Sequence, residues 1–544
     1  MSTPIVDVLR TDTQALQKLL EAGKVKSVDL VEIYLAQIEK HDGYLHSMIT
    51  LAEEPTLREA AERLDAERKT SKVRSPLHGV PIIIKDNINT VDMKTTAGSL
   101  ALDGCRPREN AKIVDKLSQA GMIIMGKANL TVSATAQVCG EVVTDACSGM
   151  VKLSNGWSGL GGLTQSAYVR GGFVFTDESS STIGSSSGSA VSVSAGYAPI
   201  SVGTETCGSL TCPASRAALY TIKPSIGLVS QHGIVPISHT CDTAGPMGKT
   251  AFDIAALLDV LTDTDAPGRP EGGYTSSLDC TWGDIKVAAV KIEGPELPDS
   301  EDKIEEVDKT AMAQMVNEYR VAYDKVKNKA AGFYENVPLS FHKLDPSFEE
   351  TDDALFTILM ADFQKDFPAY LDSLEYTPVK SFEEIIEFNK THADVEMPPD
   401  ARLTTPASTD LLVENDNQAL FEEAVSRTIS EEEYKKCLEL CRKESKQNGI
   451  DRILDTYGAD IVIAPANGGW ELWNPSSMSG YPVAAMPLGY LETNGAPFGI
   501  CAMAREHEEA KLIKFMKLWE DTVRPRKVPE MLDGKSEVWN GEKR

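Results

Sequence analysis

"GVPIIIKD", residues 79–86, is a β-branched run with a proline near its start and a lysine at its end. Val80 to Ile84 has the composition of a buried strand, and Lys85 closes it. Upstream, "DTQALQKLLEAGKVKSVDLVEIYLAQIEKH" (12–41) spaces its apolar residues three and four apart, which predicts two helices broken at Gly23, the second with Ser27 as its N-cap. Downstream, "VDKLSQAGMIIMGKANL" (114–130) predicts helix, glycine turn and strand, and "ADIVIAPA" (459–466) a further strand. Helices alternating with short apolar strands specify a layered α/β fold. An arbitrary lysine at a strand end reaches water with its head group. The strand can instead point Lys85 into a dry interior, where desolvation lowers an ammonium pKa toward neutrality, and the blocks that accompany it in the chain favour that orientation.

The chain of 544 residues, 42% hydrophobic, can bury a large core as two or three domains or as one α/β unit. A formal charge of −27 argues against nucleic acid or an anionic membrane surface as partner. The ten cysteines show no metal-type pairing and read as reduced thiols, so no metal site is expected. Neither a leader-like start nor an apolar run near the ~20 residues of a membrane span is present, which gives the expectation of a soluble, cytoplasmic protein. Residues 266–460 turn acidic and helical, as in "DKIEEVDKTAMAQMVNEYRVAYDKVKNKAAGFYE" (302–335), and the tail from Val523 is polar and expected to fray.

Residues 184–190, "GSSSGSA", contain the pattern G-x-S-x-G, which would put a nucleophile on Ser186. That elbow needs a hydrophobic strand before it, an upstream H-G-G-G loop and a downstream His. The chain instead supplies "DESSST", no H-G-G, and only His507 late enough, within acidic "REHEEA" (505–510). With histidine absent where it is needed, a serine hydrolase needs another base, and a desolvated lysine can serve. "TAGPMGKT" (243–250) lacks the first glycine of a P-loop, and "GLGGLT" (159–164) lacks the third glycine of a dinucleotide fingerprint. Cys207 and Cys212 have no histidine placed to activate them and read as small buried hydrophobes.

Taken together, "GVPIIIKD" (79–86), "GSSSGSA" (184–190), "GTETCGSLTCPAS" (203–215) and "IKPSIGLVSQHGIVPISHTCDTAGPM" (222–247) resemble the amidase signature family. "SGYPVAAMPLGY" (479–490) and "GAPFGICA" (495–502) resemble its closing segments, while "NGWSGLGGLTQSAY" (155–168) and "GTETCGSL" (203–210) are similar to peptide amidases and fungal amidases. The resemblance implies one large α/β domain over 1–544 with a mixed central sheet flanked by helices. Its signature core would span about 78–250, a variable helical region about 266–460, and a closing segment about 461–522. It implies a Ser-Ser-Lys triad: Ser209 as nucleophile, Ser185 as bridging serine on a cis peptide bond, and Lys85 as base. It further implies an oxyanion hole from the backbone N–H groups of Thr206, Cys207, Gly208 and Ser209, a substrate-lining role for Gln165, and no cofactor.

Several positions depart from the commonest family pattern: Glu205 stands for Asp, Cys207 for Gly, Thr211 for Arg, Ile183 for the first glycine of the serine loop and Val132 for an acid. The thiol of Cys207 is expected on the pocket wall, because an oxyanion loop exposes its backbone to substrate. The expected activity is hydrolysis of a small-molecule carboxylic amide through an acyl-enzyme on Ser209. The alternatives are acyl transfer or ester hydrolysis with the same residues, an idle protein kept for binding or assembly, and an esterase built on Ser186. Oligomeric state stays open, a homodimer included.

Overall fold

The computed structural model describes residues 6–131, 156–170, 184–292, 306–339, 348–396, 418–466, 472–523 and 525–533. "PIIIK" forms a strand whose five residues are all buried, because it lies inside an eleven-stranded mixed sheet. The strands are Met48–Leu51 (β1), Pro81–Lys85 (β2), Ile123–Ala128 (β3), Ile200–Glu205 (β4), Tyr220–Lys223 (β5), Thr243–Gly248 (β6), Lys286–Val290 (β7), Gly332–Val337 (β8), Ile461–Pro465 (β9), Val483–Tyr490 (β10) and Pro497–Met503 (β11). Their spatial order is β1-β3-β2-β4-β6-β5-β10-β11-β9-β7-β8. β2 runs parallel to both β3 and β4, with Lys85 opposite Ala128 and Ile84 opposite Val202. The near-continuous apolar composition of β2 follows, since a strand paired on both sides and covered on both faces has no polar face to present.

Helices cover the sheet. Lys112–Gln119, Ala251–Leu261 and Glu509–Thr522 pack with Ile82, Ile84 and Ile500 in one core. The N-terminal helices pack with Val80, Ile83 and Met125 in a second. Those helices run Thr13–Glu21 and Ser27–Leu45, with Gly23 at φ 64° between them. Ser27 is the first helical residue rather than the cap. The start is held by Asp29, whose carboxylate accepts from the N–H of Lys26 at 2.8 Å.

Residues 266–460 contain the expected helices, and also β7 and β8, so the sheet draws strands from a stretch that reads as helical. "KVAAV" is too short for its periodicity to separate strand from helix, and its pairing with β9, more than 170 residues away in sequence, decides the matter. The tail is tied down as far as it is described: Arg526 donates to Ala218 O at 2.9 Å and to Leu9 O at 3.0 Å, and Asp533 pairs with Arg10 at 2.8 Å. Among the described residues no helix is long and apolar enough to cross a membrane.

Candidate functional site

Because β2 and β4 are parallel neighbours, their carboxyl ends deliver Lys85 and Glu205-Thr206 to the same edge of the sheet, the usual location of ligand sites in such sheets. Lys85 is 1% exposed. Its Nζ donates to Ser185 Oγ at 2.6 Å, to Thr204 Oγ1 at 3.0 Å and to Thr204 O at 3.4 Å. Burial pulls the ammonium down to about 7, against the opposing pull of the Asp242 and Glu205 charges. Near neutrality the amine is therefore balanced between two states. Protonated, its three N–H groups meet these three oxygens; neutral, two N–H groups satisfy Thr204 while the lone pair faces the Ser185 hydroxyl.

Gly184, Ser185 and Ser186 form a turn that leads into the buried helix Ser187–Ser194. Gly184 has φ 94°, and a Cβ there would sit 2.7 Å from Pro213 Cδ. Glycine is thus required both by conformation and by space. The cis linkage expected at Ser185 is not found: no cis peptide bond occurs among the described residues, and the positive φ of Gly184 turns the chain. The N–H of Ser186 donates to Ser209 O at 3.2 Å, which joins the serine turn to the 206–209 segment. The Ser186 hydroxyl donates to Thr204 O at 2.9 Å and accepts from Thr204 N at 3.2 Å. It is buried and locks the end of β4, so the elbow residue is structural, while the Ser185 hydroxyl is the one that meets the lysine.

The segment 206–209 is held from both sides. Thr206 donates through Oγ1 to Asp242 Oδ1 at 2.6 Å, and its carbonyl accepts from Ser477 Oγ at 2.6 Å. Asp242 also accepts the N–H groups of Ile237 and Ser238 at 2.7 and 3.0 Å. Burial raises its carboxyl to about 6 in spite of them. Gly208 turns at φ 76°, where a Cβ would lie 2.9 Å from Cys212 Sγ.

The departures at 205 and 211 form one unit. Glu205 Oε2 accepts from the N–H of Leu210 at 2.7 Å, from the N–H of Thr211 at 2.9 Å and from Thr211 Oγ1 at 3.2 Å. Ser209 is 3% exposed on the same turn and, like Cys207 and Gly208, is not among the residues that line the cleft beside Lys85.

Cys207 differs from expectation. Its thiol is 2% exposed, lies in the core with Met478 and Trp473, and donates from Sγ to Asn474 Oδ1 at 2.9 Å. It does not line the cleft beside Lys85, because the helix Trp473–Ser479 packs behind the turn and gives the side chain a place on the far side. Cys207→Gly is expected to lower stability by roughly 1–2 kcal/mol through lost packing and added backbone freedom, measured by chemical denaturation. A small thiol alkylator should leave Cys207 unmodified in the folded protein. Rapid modification of Cys207 by such a reagent, read by peptide mass spectrometry, would contradict this placement.

The cleft beside Lys85 and Ser185 has a volume of about 760 Å³ including its mouth. The sequence reading missed most of its wall. Phe367, Ile385 and Phe421 reach it from the helices Phe348–Ser373, Phe382–Thr391 and Ala419–Ser426 of the variable region. The variable region is fastened to the signature loops: Asp362 accepts from Ser238 Oγ at 2.6 Å and from Thr240 Oγ1 at 2.5 Å, and Glu396, in the short helix Ala393–Glu396, accepts from Ser99 Oγ at 3.0 Å. Thr204 and Asp242 were within reach of sequence reading, since both fall inside the signature blocks.

Gln165 is not among the cleft's lining residues; its side chain donates to Leu163 O at 3.2 Å and its N–H to Leu45 O at 2.8 Å. His507 also lies elsewhere, its N–H donating to Ser225 Oγ at 2.8 Å. Val132 and Ile183 lie outside the described residues. None of the eight described cysteines is in a disulfide, and no group of three or more potential metal ligands occurs among the described residues.

The large mixed sheet and its covering helices are those of a known family. The Amidase family model matches residues 29–513, and the chain belongs to that family. It is 30% identical over 521 residues to a "Probable amidase" of Arabidopsis thaliana, covering 94% of this chain and 89% of that one. It is 26% identical to a glutamyl-tRNA(Gln) amidotransferase component of Natranaerobius thermophilus over 91% of this chain and 92% of that one. Among solved structures, native peptide amidase from Stenotrophomonas maltophilia superposes with a TM-score of 0.78 at 30% identity, covering 96% of this chain and 98% of that one. An amidase family protein from Bacillus anthracis gives 0.77 at 28% identity, covering 96% and 93%. The mixed α/β fold with its large central sheet is the fold of these amidases, and amide hydrolysis is the general chemistry that the family and its peptide amidase neighbours support.

Proposed function

We propose that the protein hydrolyses a carboxylic amide through an acyl-enzyme on Ser209, with Lys85 as base and Ser185 as the bridge between them. The observation that carries this reading is the buried Lys85 Nζ at 2.6 Å from Ser185 Oγ, with the adjoining N–H of Ser186 bound to Ser209 O. Neutral Lys85 takes the Ser185 proton as Ser185 takes that of Ser209, and Ser209 Oγ bonds to the amide carbon. Backbone N–H groups of 206–209 stabilise the oxyanion, each such donor contributing ~3 kcal/mol in the transition state. The C–N bond then breaks, the amine leaves with the proton returned through Ser185, and water cleaves the ester to release the acid and regenerate Ser209.

No step calls on a cofactor, and the working location is the cytoplasm. Signature core, helical region and closing segment act as one unit, since the cleft takes its wall from both of the first two.

Treatment with a fluorophosphonate followed by peptide mass spectrometry tests the assignment. Modification of Ser209 is the expected result. Modification of Ser186, or of no serine, would overturn it.

A further inference from the structure

Strands β4 and β6 are antiparallel, with Glu205 opposite Thr243. The next residues beyond the sheet, Thr206 and Asp242, therefore face each other where the two strands part. Thr206 is the one residue of 206–209 among the described residues that line the cleft, and Asp242, partly exposed, lines it too. The Thr206 hydroxyl donates to Asp242 Oδ1 at 2.6 Å, while Oδ2 accepts the N–H groups of Ile237 and Ser238 at 2.7 and 3.0 Å. The N–H of Asp242 donates to Ser238 O at 2.8 Å, which closes a turn over 238–242. That turn is itself fixed, since Ser238 and Thr240 donate to Asp362 of the variable region. Three donors converge on one side chain; the two oxygens of a carboxylate have lone pairs for all of them, the single oxygen of a carboxamide does not.

The same carboxylate acts on the lysine. Burial favours the neutral amine of Lys85; of the charges that oppose it, Asp242 is the stronger and Glu205, at the end of β4, the weaker. Burial likewise raises the Asp242 carboxyl, and Asp366 of the helix Phe348–Ser373, itself paired with His239 at 2.8 Å, adds to that effect. Asp242 thus holds the segment that carries Ser209 and lies in the field of the base. Alignment at such a place matters, because a misplacement of about 1 Å at a reacting centre can cost ~10²-fold in rate. Resting on the amidase reading above, we infer that Asp242 is a positioning residue of this site: its carboxylate fixes the nucleophile segment through the Thr206 hydroxyl and presents its charge to Lys85, so that one side chain aligns the attacking group with its base.

The second-order rate of Ser209 modification by a fluorophosphonate, measured across pH, tests this without a known substrate, because the reagent is attacked by the same hydroxyl with the same base. Thr206→Val removes the tether and leaves the Asp242 charge. Modification should slow about tenfold or more at every pH, with its rise near pH 7 unmoved, and Thr206→Ser, which keeps the hydroxyl, should recover most of the loss. Asp242→Asn makes the opposite separation. Its oxygen can take the N–H groups of Ile237 and Ser238 while its N–H groups reach the Thr206 hydroxyl, so the tether persists without the charge. The amine then becomes neutral at lower pH, and the rise should move down by roughly half a pH unit or more. A side chain that merely closed the 238–242 turn would change the melting transition and leave the rise where it is. A Thr206→Val protein that reacts at the parent rate, or an Asp242→Asn rise at the parent pH, overturns the inference while modification of Ser209 in the parent still stands; should Thr206→Val fail to fold, the Asp242→Asn profile decides alone. A parent protein unmodified at Ser209 at any pH removes the amidase reading, and this inference with it.

Discussion

Ser209→Ala is expected to abolish measurable amide hydrolysis, a loss on the order of 10⁶-fold, the scale reached when the nucleophile of a concerted serine hydrolase set is removed. The loss should fall on kcat, with ligand affinity kept, because the hydroxyl forms its bond to the carbonyl carbon in the transition state and contributes little to the resting cleft. Fluorophosphonate modification should disappear with it. Ser186→Ala is the contrasting variant. Its hydroxyl both donates to Thr204 O and accepts from Thr204 N. Its removal leaves buried backbone groups with one partner fewer, at a cost of roughly 1–3 kcal/mol in stability, yet Ser209 should still be modified and amide still cleaved. The two variants therefore separate along different axes, activity for one and melting for the other. A Ser209→Ala protein that kept even a hundredth of the parent rate, after exclusion of contaminating enzyme, would show that another group attacks the amide.

How much of this was legible in the sequence depended on how local the determining physics is. Lys85 could be placed at a strand end because its strand announces itself in five consecutive residues, whereas Ser185 and Ser209 followed from the resemblance of their glycine-containing blocks to the amidase signature family, the local G-x-S-x-G pattern alone pointing to Ser186. The glycines at 184 and 208 of those blocks do adopt a positive φ. Less local features escaped. Strands β7 and β8 are short apolar runs inside an acidic region, and their pairing partners are remote in sequence. Phe367, Ile385, Phe421 and Asn389 read as ordinary amphipathic-helix residues, and nothing in their own segments says that these helices close over the carboxyl ends of β2 and β4.

Cys207 shows the same limit from another side. Its backbone position follows from the signature block, but the direction of its thiol is decided by the helix Trp473–Ser479, more than 260 residues later. Glu205 and Thr211, which looked like two unrelated departures, are joined by hydrogen bonds and so make sense as a pair.

Lys85→Met should yield a protein that is both less active and more stable, with each effect carrying its own pH signature. The loss in kcat/KM is expected to be about 10²–10⁴-fold, the usual contribution of a positioned proton acceptor. In the parent protein, the lysine must be neutral to act, so kcat/KM should rise with pH through about 7 and level off above it. The variant's residual rate should lack that step.

The lysine holds its proton to about 10.5 when the chain is unfolded but to about 7 when it is folded. Between those values the unfolded chain binds the additional proton, and this group makes folding more favourable as pH rises, by ~1.4 kcal/mol per pH unit. Below about 7 the folded protein carries a buried ammonium and the penalty is at its fullest. Methionine fills similar space without the charge. Its stabilising effect should therefore be largest at pH 7 and below, where it is on the order of a few kcal/mol after the lost hydrogen bonds to Ser185 and Thr204 are counted, and should shrink toward zero near pH 10.5. Denaturation midpoints at several pH values, set beside a kcat/KM profile, read both effects. A difference in stability that did not change between pH 7 and 10 would mean that the lysine keeps its proton in the folded protein throughout that range, and Lys85 could not then be the base.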